Sequence, residues 1–192
     1  MSISYIPVNW TTYHDNARKI AATILSHNTT PIDRIVAITR GGLTFGHLLT
    51  DFLRVPIATF TIQSYSDIQS QGETKITEPL SVSIKDHHIL LADDVSDTGT
   101  TFLRAIAYLK RFKPKKITTV AMFYKPHSVY RPDYFADQTS KWILFPYEPT
   151  EMILNITRGM EKEKKSKAEI QKKLMSLKYT PDQIKFVRKY HL

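Results

Sequence analysis

An apolar run that ends in adjacent carboxylates constrains this chain more than any other feature. His88-Ile89-Leu90-Leu91-Ala92 leads into Asp93-Asp94, a third acid at Asp97, and then Thr98-Gly99-Thr100-Thr101 at the head of an amphipathic stretch. The pattern predicts a buried strand, a loop and the first turn of a helix. Unpaired backbone N–H groups at such a helix start favour phosphate, which the preceding acids repel. We therefore expect the acids to face hydroxyl groups, a metal ion or a proton on the same ligand.

Short apolar runs alternate with helical spacing along the rest of the chain. Strands are predicted at Arg34–Thr39, Ile57–Tyr65, Ile117–Tyr124 and Trp142–Phe145, and helices at Tyr13–Ser26 and Leu43–Leu53. This order predicts an α/β fold with a doubly wound, mostly parallel sheet, whose ligands lie at the carboxyl ends of the strands. Arg40, Asp93, Asp94 and Lys125 each lie just beyond a predicted strand end, so one pocket could hold them all.

The remaining segments of this region are predicted from their turn residues and low apolar content. Ser66–Leu80 is predicted to be a long mobile loop, and Pro126–Ser140 an irregular one. Thr11 or Thr12 is the predicted N-cap of the first helix.

Composition limits the class of protein. A chain of 192 residues with 42% hydrophobic content is expected to form one domain and an appendage. It has no cysteine, no apolar run of about 18 residues and no apolar leader, so we expect no disulfide, membrane span or secretory signal, and a cytoplasmic protein. The net charge is +9, of which residues 151–192, with eleven basic and five acidic residues, carry +6. The basic character is mainly a property of the C-terminal part.

The C-terminal part has a helical composition. Ile170, Leu174, Met175 and Leu177 form an apolar stripe, Glu161 and Glu163 have lysines four residues later, and Thr180-Pro181-Asp182-Gln183 is a capping box. We predict a domain over residues 1–157 and a basic helical extension over 158–192. A solvated face is the expected role of its lysines; a lid, an oligomer contact and an RNA contact are the alternatives.

Four segments in order resemble the type I phosphoribosyltransferases. Leu90 to Gly99 resembles their phosphoribosyl pyrophosphate signature, Thr39-Arg40-Gly41-Gly42 their pyrophosphate loop, and Ser64-Tyr65 the start of their flexible catalytic loop. Phe123-Tyr124-Lys125-Pro126 and Trp142-Ile143 resemble the purine-binding elements of the 6-oxopurine subgroup, especially xanthine-guanine and hypoxanthine enzymes. The resemblance covers roughly residues 8–150 and leaves out the extension.

The resemblance implies a role for each of these residues. Thr98, Gly99, Thr100 and Thr101 would bind the 5′-phosphate, Asp93 and Asp94 the ribose hydroxyls and Mg²⁺, and Arg40, Gly41 and Gly42 the pyrophosphate. Asp97 would assist proton removal at N7 of the purine, Lys125 would donate to the 6-oxo group, Trp142 would stack on the ring, and Ile143 would offer backbone groups. Arg40, Ser64, Tyr65 and Asp97 are the predicted catalytic residues.

Two positions depart from the pattern of the subgroup. Glu148 stands where an aspartate near the metal is usual, which puts its place among the metal ligands in doubt. Ala92 is smaller than the branched residue that usually precedes the acids, and we interpret it as a packing variation.

The predicted reaction converts a 6-oxopurine and phosphoribosyl pyrophosphate, with Mg²⁺, to a nucleoside 5′-monophosphate and pyrophosphate. Adenine as substrate is the nearest alternative, although the Lys125 ammonium, a donor, suits a 6-oxo group better than a 6-amino group. Two further alternatives are a non-catalytic regulator of the same fold that binds nucleotide or RNA, and a phosphatase. We expect a homo-oligomer, a dimer or tetramer, and neither a membrane nor a nucleic acid as partner.

Overall fold

The computed structural model describes residues 3–27, 29–67 and 70–192, with the side chains of 64–67 and 70–74 left out. The strands are β1 (Tyr5–Pro7), β2 (Arg34–Thr39), β3 (Ile57–Asp67), β4 (Ser70–Glu78), β5 (His88–Ser96), β6 (Lys116–Tyr124), β7 (Tyr134–Gln138) and β8 (Trp142–Leu144). The helices are α1 (Trp10–His27), α2 (Gly41–Leu53), α3 (Thr100–Lys110), α4 (Pro149–Lys162), α5 (Lys167–Ser176) and α6 (Pro181–Tyr190). None of the described helices is long and apolar enough to cross a membrane.

The central sheet has the order β4-β3-β2-β5-β6-β7. Its strands are parallel except β4, which runs antiparallel to β3. β5 lies in the middle and is fully buried from His88 to Asp93, as its continuous apolar run predicts. The α/β fold class with a mostly parallel sheet is therefore confirmed.

The chain divides into two compact units. His14–Ser140 contains the six-stranded sheet around a core that includes Val36, Phe60, Leu91 and Phe102. Met1–Tyr13 and Lys141–Leu192 form the other, in which β1 pairs in parallel with β8 and α4, α5 and α6 share an apolar core. The predicted domain boundary between residues 157 and 158 remains a prediction.

Both predicted loops contain a strand that the sequence pattern did not indicate. The prediction of a long loop over Ser66–Leu80 was wrong, because Ser70–Glu78 forms β4. This strand pairs with β3, with Lys75 opposite Gln63. The prediction for Pro126–Ser140 missed β7, which pairs with β6. Both strands lie at the edges of the sheet, where fewer side chains are buried and apolar alternation is weak.

Capping residues define the helix starts. Asn9 caps α1, since its Oδ1 accepts the Thr12 N–H at 2.8 Å, so the prediction of Thr11 or Thr12 was wrong. The capping box of Thr180 and Gln183 is present as predicted. A second box, Ser166 with Glu169, opens α5. Because α4 ends at Lys162, Lys165 does not lie on the same helix as Glu161, and its side chain pairs with Glu169, 3.9 Å away.

Candidate active site

The two adjacent acids lie inside the carboxyl end of β5 rather than beyond it. Asp93 is only 7% exposed, and its Oδ1 accepts the N–H of Asp94 at 3.0 Å. Burial, and then the negative charge of Asp94, raise the pKa of the Asp93 carboxyl well above its usual range, although hydrogen bonds from backbone N–H groups, including that of Gly42, oppose the rise. The site therefore keeps two carboxylates close together where one of them is poorly solvated.

The start of α2 packs directly against these acids. A Cβ on Gly41 would lie 2.4 Å from Asp94 Oδ2, and one on Gly42 would lie 2.4 Å from the carbonyl oxygen of Ala92. At Gly42, which faces backbone, only glycine permits this approach, whereas a side chain at position 41 would displace the Asp94 carboxylate. Arg40 follows β2 at the N-cap position of α2, and the peptide bond between Thr39 and Arg40 is cis. The structure thus brings the predicted pyrophosphate loop next to Asp93 and Asp94.

The Thr/Gly turn after β5 opens α3 as predicted. Gly99 has a positive φ of 85°, and a Cβ there would lie 2.5 Å from the backbone nitrogen of Tyr130, so this position requires glycine on two counts. The hydroxyl groups of Thr98 and Thr100 are 2.8 Å apart. Thr100 and Thr101 form the first helical turn, where backbone N–H groups have no carbonyl partner within the helix and are suited to an anion.

Lys125 follows β6 and is 6% exposed. Its backbone N–H donates to the carbonyl oxygen of Ser96 at 3.0 Å, which fixes it against the end of β5. Burial lowers the pKa of its ammonium, whereas the negative charge of Asp97 acts in the opposite direction. The ammonium of Lys125 is therefore buried and feels the charge of Asp97, the third acid of the segment from Asp93 to Asp97.

His127 is a site residue that the sequence pattern did not indicate. Its Nε2 lies 3.1 Å from Asp97 Oδ1, and the two side chains are 60% and 51% exposed. The available signal was indirect: His127 comes two residues after Lys125, in the loop that leaves the strand next to β5.

The other predicted purine contacts belong to the second unit. Trp142 is half-exposed, Ile143 is buried, and the Trp142 N–H donates to the carbonyl oxygen of Ser4 at 2.8 Å. Glu148 is the N-cap residue of α4. The pKa of the Tyr179 hydroxyl is raised mainly by its own burial and to a smaller extent by the negative charge of Glu148. The side chains of Ser64 and Tyr65 lie outside the described residues. The roles of all five remain predictions.

Asp93 and Asp94 are the side chains here that suit a hard cation. The described residues contain no group of three or more His, Cys, Asp or Glu placed to hold a metal ion. Mg²⁺ commonly uses one or two carboxylates and completes its coordination with water and substrate phosphate oxygens. Two adjacent carboxylates, of which Asp93 is poorly solvated, supply oxygen ligands that fit such an ion.

Comparison with known proteins decides the family. The family described as "Phosphoribosyl transferase domain" matches residues 9–151. The chain belongs to this family. The predicted family, fold class and class of enzyme, a phosphoribosyltransferase, are thereby confirmed. Most of α4 and all of α5 and α6 lie outside the matched residues.

Individual relatives agree with this assignment. A xanthine-guanine phosphoribosyltransferase of Gluconobacter oxydans is 28% identical over 151 residues, which are 77% of this chain and 86% of the relative. The crystal structure of a purine phosphoribosyltransferase from Pyrococcus horikoshii has a TM-score of 0.69 and 28% identity, with 76% of this chain and 95% of that one covered. The structure of a xanthine-guanine-hypoxanthine phosphoribosyltransferase from Helicobacter pylori has a TM-score of 0.64 and 18% identity, with 80% of this chain and 99% of that one covered. At this identity the likeness shows the fold alone.

Proposed function

We propose that this phosphoribosyltransferase transfers the phosphoribosyl group to a 6-oxopurine, namely guanine, hypoxanthine or xanthine. The observation that carries the purine class is Lys125, a buried ammonium held at the end of β6 beside Asp97. An ammonium has three donors and no acceptor, so it pairs with a 6-oxo group and not with a 6-amino group. The name of the Gluconobacter relative, a xanthine-guanine phosphoribosyltransferase, supports the same substrate class, and that of the Pyrococcus relative supports a purine.

The ribosyl donor is held around the ends of β2 and β5 by hydrogen-bond donors for its phosphates and by carboxylate acceptors for its hydroxyls. The backbone N–H groups and hydroxyls of Thr98–Thr101 bind the 5′-phosphate. Asp93 and Asp94 accept hydrogen bonds from the ribose hydroxyls, and Arg40 with the backbone of Gly41 and Gly42 binds the pyrophosphate. Together these contacts hold the C1′–oxygen bond in place while charge develops on the sugar and on the leaving group.

Mg²⁺ would be held by Asp93 and Asp94, with water and substrate oxygens completing its coordination. When bound, the ion neutralises charge on the diphosphate of the substrate. The two aspartates also remain the acceptors for the ribose hydroxyls.

In the transfer step, the purine nitrogen forms a bond to C1′, the C1′–oxygen bond breaks, and pyrophosphate leaves. Asp97 faces N7 and accepts the proton that the purine gives up, while Lys125 donates to the 6-oxo oxygen. Trp142 stacks on the purine ring and Ile143 offers backbone groups to its edge, with Ser64 and Tyr65 in the catalytic loop. A cytoplasmic location and a dimeric or tetrameric assembly belong to the same proposal.

The test is to incubate the purified chain with Mg²⁺ and phosphoribosyl pyrophosphate, plus guanine, hypoxanthine, xanthine or adenine in turn, and to follow monophosphate formation. We expect product from one or more 6-oxopurines. Lys125→Met removes the donor and keeps the length of the side chain, so it should raise their KM by about 10- to 100-fold, the value of a hydrogen bond to a charged group. Lys115→Met, at an exposed lysine, is the matched control and should leave the KM unchanged. If only adenine gives product, the proposed role of Lys125 is wrong. If no base gives product, the proposed transfer reaction is wrong.

A further inference from the structure

The loop that carries Lys125 is fastened to the loop that carries Asp97 on both sides of that acid. The Lys125 N–H donates to the Ser96 carbonyl oxygen at 3.0 Å, and the Val129 N–H donates to the Thr98 carbonyl oxygen at 2.9 Å. The hydroxyl groups of Ser96 and Ser128 are 3.0 Å apart. These bonds leave His127 in the middle of one loop, opposite Asp97 in the middle of the other.

The contact between His127 and Asp97 follows from this backbone arrangement. His127 Nε2 lies within hydrogen-bond distance, 3.1 Å, of Asp97 Oδ1. When Nε2 carries the hydrogen, the imidazole donates to Oδ1 and restricts rotation of the carboxylate, which leaves Oδ2 available to another group. Pairs this exposed contribute little to stability. Their value here is the orientation of one carboxylate.

We propose that His127 is a positioning residue that holds Asp97 in the orientation in which it accepts the purine proton. This inference rests on the proposed function, because only the transfer reaction gives Asp97 a proton to accept. Asp97 then has His127 Nε2 at 3.1 Å and interacts through its charge with the Lys125 ammonium, which serves the 6-oxo group. Neither the resemblance nor the family match assigns a role to His127.

The kinetic test compares two substitutions at His127. His127→Leu removes the donor and should lower kcat about threefold to fivefold with little change in the KM of the purine, as expected for one exposed pair. His127→Gln keeps an N–H donor, so it should restore most of the kcat. His27→Gln, at an exposed histidine of α1, is the matched control and should leave the kcat unchanged. An unchanged kcat in His127→Leu, or a His127→Gln variant as slow as His127→Leu, overturns the proposal.

A spectroscopic measurement separates the contact from the reaction. In ¹H–¹⁵N spectra of the imidazole rings, Asp97→Asn should move the signals of His127 and leave those of His27 in place; signals of His127 that do not move overturn the contact. A wild-type chain that forms no monophosphate overturns the proposed function and the positioning role together. An active wild-type chain with an unaffected His127→Leu overturns the positioning role alone.

Discussion

The two compact units of the chain differ in the kinds of side chain that they bury. In His14–Ser140, Asp93 and Lys125 are charged groups at strand ends that are almost completely buried, and Gly41 and Gly42 allow backbone to contact carboxylates. In the unit with α4, α5 and α6, the buried side chains are mostly apolar, and the starts of α5 and α6 are closed by capping boxes. Buried charge lowers stability, whereas apolar burial and capping raise it.

This difference separates the expected effects of mutation. Changes among the polar groups of the first unit should alter activity more than stability, and some should even increase stability, because functional groups are retained at a thermodynamic cost. Changes in the helical core of the second unit should alter stability while the predicted chemistry is preserved.

The largest expected effect is on turnover. Asp97→Asn removes the proton acceptor and keeps the size of the side chain, so kcat should fall by about 10²- to 10⁴-fold while substrate affinity changes much less. Initial rates over a range of purine concentrations measure both quantities. Asp51→Asn, at an exposed acid of α2, is the control and should match the wild type. Equal losses in kcat and affinity would mean that Asp97 only binds the substrate.

The next effect is on stability and belongs to the other unit. Leu174 of α5 is completely buried among apolar side chains, so Leu174→Ala should lower the free energy of unfolding by about 2–5 kcal/mol. Met175→Ala, at the neighbouring and 48% exposed position, should change it by less than about 0.5 kcal/mol. Urea unfolding of both variants gives the comparison. At a temperature where Leu174→Ala is folded, kcat should equal that of the wild type; a loss of turnover there would instead favour the lid alternative for the extension.

The sequence predicts those parts of the fold that depend on local pattern. The continuous apolar runs give β2 its observed bounds, the helical spacing gives α1 and α2 to within a few residues, and the start of α3 follows from the Thr/Gly turn. The edge strands β4 and β7 were not predicted, because their existence depends on pairing with β3 and β6. Such pairing buries little apolar surface and leaves a weak pattern in the strand itself.

The same limit applies to the site. Asp93, Asp94 and Asp97 were predicted because they occupy one short segment between a strand and a helix. His127 was not, because its contact with Asp97 depends on the register between β5 and β6, which pairs Ser96 with Tyr124 and places one loop beside the other. Periodicity along one strand does not determine how far its neighbour extends.

The smallest expected effect is that of Asp93→Asn, which should raise stability and lower activity. Burial and Asp94 raise the pKa of the Asp93 carboxyl in the folded chain, whereas in the unfolded chain it titrates at about 3.9. Between those two values the folded state binds more protons than the unfolded state, so the contribution of Asp93 to stability falls as pH rises through that window. Asp93→Asn removes this cost and should raise the free energy of unfolding and the Tm at neutral pH.

Thermal unfolding of the wild type and Asp93→Asn over a pH series measures that gain, and it should disappear below the pH at which Asp93 is protonated in both states. Turnover of the same variant should fall, because the amide removes one of the two carboxylates proposed to face the ribose hydroxyls and Mg²⁺. A gain that persists unchanged at low pH would assign the extra stability to packing. A variant less stable than the wild type at neutral pH would show that the hydrogen bonds from Gly42 and Asp94 outweigh the cost of burying this carboxylate beside another.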